Sequence, residues 1–503
     1  MRGLFTPITK IRRQVFTEVA RFAFERDPAQ EDFNYFYESS YRIIPGEVAT
    51  YRDSVFKERA IIRERIRLAM GLPIRPSGTH QSLTEGMPQC ASEDKMLEPP
   101  LVNVIPFACE ACPTDRIQDS DNCRKCLAHP CTTVCPVNAV SIAKTAAVID
   151  QDKCIKCGRC IQACPYQAIL RFGRPCAQAC GADAIGSDSL GRAEIDQEKC
   201  VSCGLCIVEC PFAAIADKSE IFQLITAIRS GTPVYAAIAP SFAGQFGPLA
   251  TPGKIVSGIK ALGISRVIEV GWGADIATRT EADEFLREVP VEKPFLGTSC
   301  CPSWAMFARG THPELSACIA QTHTPMVASA MRIKREHPQA KVVFIGPCIA
   351  KKLEALEGEV RPYVDYVITF EELMGIFSAR QIELNDMPET ELKDYASRDG
   401  RGYAVAGGVA QAVVNVIRER EPGREVKVLK ADTLRDCGKM LALCKAGKAD
   451  GCLMEGMACP GGCVGGPGTL SQIPRASAAV RAYAEASPYR TAGDNPLSGE
   501  TAS

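Results

Sequence analysis

Gly297-Thr298-Ser299-Cys300-Cys301-Pro302-Ser303-Trp304 is the stretch on which the reading of this 503-residue chain turns. Two cysteine-bearing segments downstream make chemical sense only beside it: Gly346-Pro347-Cys348-Ile349-Ala350-Lys351 and Glu455-Gly456-Met457-Ala458-Cys459-Pro460-Gly461-Gly462-Cys463. Side chains of adjacent residues diverge, so Cys300 and Cys301 are read as doing different work, one as a ligand and the other as a free thiol. A ligand at Cys301, with Cys348, Cys459 and Cys463, completes the four thiolates that hold a cubane iron–sulfur cluster.

Upstream, cysteine use changes abruptly between Cys109 and Cys210. Cys154-x-x-Cys157-x-x-Cys160-x-x-x-Cys164-Pro165 and Cys200-x-x-Cys203-x-x-Cys206-x-x-x-Cys210-Pro211 are two copies of the bacterial ferredoxin run. In that run three cysteines bind one cluster and the fourth crosses to the other. The expected pairing is Cys154, Cys157 and Cys160 with Cys210, and Cys200, Cys203 and Cys206 with Cys164. A zinc ribbon is the alternative, but zinc needs four ligands and lacks the third spacing. Cys123-x-x-Cys126-x4-Cys131-x3-Cys135-Pro136 looks like the expanded motif of multi-cluster ferredoxins, and Cys109, Cys112, Cys176 and Cys180 would complete a fourth site. Two 4Fe-4S clusters are thus expected, with one or two more, against one zinc plus spare thiols. The residues after each run repeat as well, at Pro136–Val140, Pro165–Ile169 and Pro211–Ile215, which suggests stacked ferredoxin-like units.

Twenty-six cysteines are the outlying count. In a secreted chain they would suggest disulfides; their Cys-x-x-Cys grouping is metal-ligand spacing and points to a reducing cytoplasm. A formal charge of -1 gives no electrostatic case for nucleic acid or membrane. Arg12-Arg13 superficially resembles an export signal, but charged residues follow where an apolar stretch belongs. No apolar run reaches the roughly 18 residues that span a bilayer, so direct membrane insertion is not expected.

Residues 1–98 read as a helical extension and linker, with helices over Ile11–Phe24 and Val55–Met70 and a loop from Pro73 to Pro100. It either packs on the rest of the protein or docks a partner. Residues 99–220 read as the α+β ferredoxin-like module, with a helix over Lys218–Thr232 leading out of it. Strand and helix then alternate: Val234–Ala239, Lys254–Leu262, Arg266–Val270 and Ala282–Arg287, with strands at Val342–Ile345 and Tyr363–Thr369. This predicts an α/β domain with a buried sheet over residues 221–486. Residues 487–503 are polar and rich in Gly, Pro and Ser, and read as a flexible tail. Cys318, Cys437, Cys444 and Cys452 belong to no motif and read as small buried apolar groups.

The three segments quoted first resemble, in order, the signature motifs of iron-only (FeFe) hydrogenases: Cys300-Cys301-Pro302-x-Trp304, Pro347-Cys348-x-x-Lys351-x-x-Glu354 and Met457-Ala458-Cys459-x-Gly461-Gly462-Cys463. The resemblance spans roughly Val234–Tyr483. It implies an H-cluster, a 4Fe-4S cubane joined through one cysteine sulfur to a two-iron unit carrying CO, cyanide and a dithiolate amine. Cys301, Cys348, Cys459 and Cys463 would be its ligands, Cys463 the bridging one, with Met457 beside it. Cys300 would pass protons to and from the amine. Lys351 would donate to one cyanide, or else simply pair with Glu354; Ser241 would face the other cyanide, or else serve as a turn residue. Glu281 and Glu284, on one helical face, would relay protons, with either Ser316 or Cys318 between them.

By the same resemblance the chain would interconvert H2 with protons and electrons, exchange electrons with a soluble ferredoxin, and need maturation proteins to receive its cofactor. Two departures mark a divergent branch. Gly346 stands where the family has methionine, and Gln321-Thr322-His323-Thr324-Pro325-Met326 replaces a Ser-Pro-Gln-Gln-Met stretch. His323 would either supply a substitute contact or be a structural histidine. The rival reading is a hydrogenase-like iron–sulfur protein of cluster assembly or sensing, without H2 turnover.

Overall fold

The computed structural model describes residues 3–26, 32–392 and 395–499. Three helices open the chain: α1 (Pro7–Glu25), α2 (Tyr35–Ile43) and α3 (Val55–Ala69). Thr6 caps α1 through its hydroxyl and Ser54 caps α3, each satisfying a backbone N–H that the first helical turn leaves open. The helices expected over Ile11–Phe24 and Val55–Met70 are therefore present. Phe22 of α1 packs with its ring centroid 4.8 Å from Phe36 of α2. The extension lies on the rest of the protein: its buried side chains share one hydrophobic core with the first sheet of the catalytic region.

The cysteine-rich module holds β1 (Val102–Val104), β2 (Arg116–Asp119), α4 (Pro130–Thr133), β3 (Val140–Ile142), β4 (Ala147–Ile149), α5 (Arg159–Ala163) and β5 (Ile169–Phe172). It continues with α6 (Pro175–Ala179), β6 (Ile185–Ser187), β7 (Ala193–Ile195), α7 (Leu205–Glu209) and β8 (Ile215–Asp217). The pairing shows one ferredoxin-like unit spliced into another. The inner unit closes with β2 antiparallel to β5 around the hairpin β3–β4, and the outer unit closes with β1 antiparallel to β8 around the hairpin β6–β7. The helix pairs α4–α5 and α6–α7 pack in the same way. The inner unit occupies the chain between Cys112 and Cys176, inside the outer unit's first cysteine run.

The catalytic region runs α8 (Ile221–Arg229), β9 (Val234–Ile238), α9 (Pro252–Ala261), β10 (Arg266–Glu269), α10 (Val270–Glu288), β11 (Phe295–Gly297), α11 (Pro302–Thr311), α12 (Pro325–Glu336), β12 (Lys341–Gly346), α13 (Ala350–Glu354), β13 (Tyr366–Thr369), α14 (Phe370–Ala379), α15 (Arg398–Gly402), α16 (Gly408–Arg420), β14 (Lys427–Ala431), α17 (Leu434–Lys445), β15 (Cys452–Gly456) and α18 (Ile473–Glu485). Two parallel sheets result, of order β10-β9-β12-β13 and β11-β15-β14. The strands of the first sheet are short, mostly buried apolar runs covered by helices, as parallel sheets require, whereas β14 at the edge of the second carries two lysines and is only half-buried. Among the described residues no helix is long and apolar enough to cross a membrane.

Two expectations need correction. The helix read over Ala282–Arg287 is only the end of α10, which starts at Val270 with no loop after β10. Its early glycines argue against a helix in isolation, yet a Cβ on Gly273 would come within 2.3 Å of the Pro325 carbonyl oxygen and 2.4 Å of Ser329 Oγ, so close packing of α12 requires glycine there. The tail expected from Ser487 is anchored through the described residues. Asn495 is fully buried and donates to Asp275 at 2.8 Å, and Trp272 Nε1 donates to the Leu497 carbonyl at 3.0 Å. Polar composition there serves hydrogen bonds to α10 rather than solvation.

Candidate functional site

In open parallel sheets the loops leaving the carboxyl ends of strands converge and form binding sites. Here four such loops do so. Ala239-Pro240-Ser241 follows β9, Cys300-Cys301-Pro302 follows β11, Pro347-Cys348 follows β12, and Met457-Ala458-Cys459 follows β15. They surround one cavity of about 90 Å³ that is also lined by Lys351, Gly462, Cys463 and Gly466. Three motifs far apart in the chain are thus brought together, with Ser241 and Met457 in the same wall. Trp304 fixes the geometry. Its indole is fully buried, it donates to the Thr298 carbonyl at 3.1 Å, and it lies so flat on Gly456 that a Cβ there would come within 2.2 Å of the ring.

The two adjacent cysteines differ electrostatically. Cys301 is the N-cap of α11, and although burial raises its thiol, the backbone N–H groups of Trp304, Ala458 and Ser303 and the Lys351 ammonium pull the other way. Cys300 is raised much further, by burial and then by the Glu281 carboxylate. Cys301 is thus the better thiolate and Cys300 the more firmly protonated thiol. Burial also pushes Cys348 up to about 11 and Cys463 up to about 12, values that metal ligation would bring down.

Lys351 is buried, with its ammonium 2.6 Å from Glu354 Oε2 and donating to Thr324 Oγ1 at 2.8 Å. Burial opposes that charge, but Glu354 and the thiols of Cys348 and Cys300 outweigh it and hold the pKa above the ordinary lysine value. Lys351 thus pairs with Glu354 and also lines the cavity, buried rather than on the surface. Ser241 is fully buried and its hydroxyl has no partner among the described residues, a costly state unless a ligand accepts the bond. Four thiols, an ammonium and an unpartnered hydroxyl in an otherwise apolar cavity fit a sulfur-ligated, anion-bearing iron group.

Glu281 is buried and accepts from Ser299, and burial lifts its carboxyl to about 7. Glu284 accepts from Lys293 at 2.6 Å. Of the two residues read as standing between them, Cys318 is buried and feels the Lys293 ammonium, whereas Ser316 is half-buried and its hydroxyl makes no protein hydrogen bond among the described residues. His323 fits neither reading, since it is exposed and outside the cavity. Its neighbour Thr324 is the residue that turns inward to Lys351. Phe344, Tyr403 and Met326 also line the cavity without a motif to announce them. Phe344 takes the room that Gly346 leaves: a Cβ at 346 would lie 2.5 Å from its ring. Tyr403 pairs its hydroxyl with Thr278 at 2.7 Å. Cys437, Cys444 and Cys452 are buried core residues.

The sixteen cysteines of the cysteine-rich module group into four sites, not paired as expected. Cys123, Cys126, Cys131 and Cys164 line one small cavity, and Cys109, Cys112, Cys176 and Cys210 another. Cys160 has Cys154 and Cys135 as neighbouring thiols, which with Cys157 makes the third. Cys203 and Cys206 have Cys180 and Cys200, the fourth. The crossing rule holds within each unit, but Cys154–Cys164 and Cys200–Cys210 belong to different units, so Cys210 and Cys164 serve other partners. Among the described residues no three His, Cys, Asp or Glu side chains converge as ligands of a single ion do; the cysteines ring cavities instead.

Thiol-lined sites leading to a thiol-lined cavity between two parallel sheets define an iron–sulfur protein. Residues 232–467 match the family "Iron only hydrogenase large subunit, C-terminal domain", and residues 147–170 and 193–216 match the 4Fe-4S binding domain. Residues 232–467 are thus a domain of the iron-only hydrogenase large subunit family, with 4Fe-4S domains ahead of it. It is 25% identical over 389 residues to the NADP-reducing hydrogenase subunit HndD of Solidesulfovibrio fructosivorans, covering 64% of each chain. It is 27% identical over 312 residues to iron hydrogenase 1 of Clostridium pasteurianum, covering 57% of this chain and 54% of that one. It is also 23% identical over 325 residues to protein NAR1 of Arabidopsis thaliana, covering 50% and 69%. The chain thus spans less than two thirds of the first two relatives.

Proposed function

We propose that this protein is a cytoplasmic hydrogenase that interconverts H2 with two protons and two electrons at an H-cluster held by Cys301, Cys348, Cys459 and Cys463. When bound, that group supplies the redox centre at which H2 is split or made. Lys351 and Ser241 bind and orient its anionic ligands by hydrogen bonds in a cavity that excludes water. Cys300 holds a proton at its sulfur and exchanges it with Glu281. From there Glu284, by way of Cys318, carries it toward Lys293 and the surface. Four 4Fe-4S clusters, one at each cysteine set of the relay module, carry electrons to or from a soluble ferredoxin.

The observation that carries this reading is Cys300. A bare cubane holder needs four thiols, yet a fifth lies in the cavity wall with the buried Glu281 carboxylate acting on it. The NAR1-like relatives favour a second reading, a cluster-assembly protein without H2 turnover. Infrared spectra of the protein matured with hydrogenase maturation proteins decide between them. CO and cyanide stretches support the hydrogenase; iron–sulfur absorbance without those bands supports the second.

A further inference from the structure

We infer that the spliced-in unit is the electron port of this protein, and that the surface around Leu127, Arg124, Lys125 and Lys144 docks a small acidic iron–sulfur carrier protein. The inference rests on the proposed electron-transfer role and extends it from a class of partner to a place on the molecule.

The order of the four sites comes first. Cys203 has Cys301 among its neighbouring thiols, and Ser303 donates to the Val201 carbonyl at 3.0 Å, so the site of Cys180, Cys200, Cys203 and Cys206 abuts the large cavity. Cys206 in turn has Cys176 as a neighbour, which puts the site of Cys109, Cys112, Cys176 and Cys210 next. Asp115, three residues beyond Cys112, interacts first with Arg171 and also with Lys156, inside the Cys154–Cys157 loop. The site of Cys135, Cys154, Cys157 and Cys160 is therefore third. The site of Cys123, Cys126, Cys131 and Cys164 is left at the outer end.

That end is built to meet another protein. Leu127, directly after a ligand position, is 96% exposed, the most exposed large apolar side chain among the described residues. Arg124, Lys125 and Tyr166 line the same small cavity as the four thiols. Arg124, Lys125 and Lys144 are exposed and, among the described residues, have no carboxylate partner; Lys125 donates to the Lys144 carbonyl, which holds the two lysines together. Charge also separates the two units. Residues 114–172 carry eight Lys or Arg against five Asp and no Glu, whereas residues 173–217 carry three against seven Asp or Glu. An acidic carrier is drawn to the spliced unit and repelled by the outer one.

The test is calorimetric titration of the cluster-loaded protein with a recombinant acidic 2Fe-2S ferredoxin at low and high salt. Binding is expected to weaken with salt. The double variant Arg124→Glu/Lys125→Glu is expected to weaken it about tenfold or more, and Leu127→Ser by about three- to tenfold. Lys144→Glu lies outside every cysteine run and tests the same surface without touching a ligand loop. Arg475→Glu, on α18, is expected to change nothing. Wild-type affinity in the Lys144 and Leu127 variants, or no binding by the wild type at low salt, overturns the inference. CO and cyanide bands with no such binding would remove the docking surface and leave the hydrogenase; binding without those bands would do the reverse.

Discussion

Ser299 donates both its backbone N–H and its hydroxyl to the same oxygen of Glu281, each at 2.8 Å, and leaves the other carboxylate oxygen buried without a partner among the described residues. A carboxyl with one oxygen fixed and the other open, and a pKa lifted to about 7, is suited to take and release a proton near neutral pH. Glu281→Gln keeps the shape and removes the titration. H2 turnover is expected to fall by about a hundredfold or more, measured by gas evolution on protein with intact infrared bands.

The same carboxyl affects stability with a definite sign. Its folded pKa is raised from 4.5 to about 7, so between those values the folded state binds the extra proton and stability declines as pH rises. The penalty is absent below about pH 4.5 and complete above about pH 7. Relative to wild type, Glu281→Gln is expected to gain about 3 kcal/mol between pH 4.5 and pH 8, measured by urea unfolding of both proteins at each pH. Equal pH dependence in the two proteins would show that Glu281 is ionised throughout.

Cys300→Ser replaces the buried thiol by a group that holds its proton far more tightly. Cofactor loading is expected to stay intact and H2 turnover to be nearly abolished, read by infrared and gas evolution together. Normal turnover in this variant removes Cys300 from the proton path.

The pairing of ligands across the nested units separates two variants. Cys164→Ser is expected to alter the site shared with Cys123, Cys126 and Cys131, and Cys210→Ser the site shared with Cys109, Cys112 and Cys176. Redox-monitored EPR on each variant should show a different single cluster perturbed. Loss of the Cys154 cluster signal in Cys210→Ser would restore the pairing expected from spacing alone.

Asn495 reaches Asp275, whose carboxyl burial lifts to about 6 and which also accepts from the Ser397 backbone N–H at 2.8 Å. Asn495→Ala removes one of these donors from a buried carboxylate and is expected to cost about 1–3 kcal/mol at pH 8, less near pH 5 where the acid is neutral. Chemical denaturation at the two pH values measures both.

The sequence is most informative where chemistry constrains spacing. The five motif cysteines, Lys351 and Ser241 all line the cavity, because motifs at strand ends carry their neighbours with them. The partners of the crossing cysteines are not readable this way. Spacing marks where a run is, and only the strand pairings β2–β5 and β1–β8 show which runs share a unit. Phe344, Tyr403 and Thr324 are equally silent in sequence: an aromatic in a strand, a tyrosine before a glycine-rich turn and a helix cap are ordinary until the fold points the first two at the cavity and the third at Lys351. His323 misleads for the opposite reason, since a titratable residue in a divergent segment attracts a role that its solvent-facing neighbourhood does not offer.

Cys112 and Cys176 lie on the same small cavity although an entire second unit is strung between them. On the proposed electron-transfer role, the length of the path is therefore set at one splice point: the inner pair of sites could be removed while both anchoring thiols, and everything inboard of them, stay where they are.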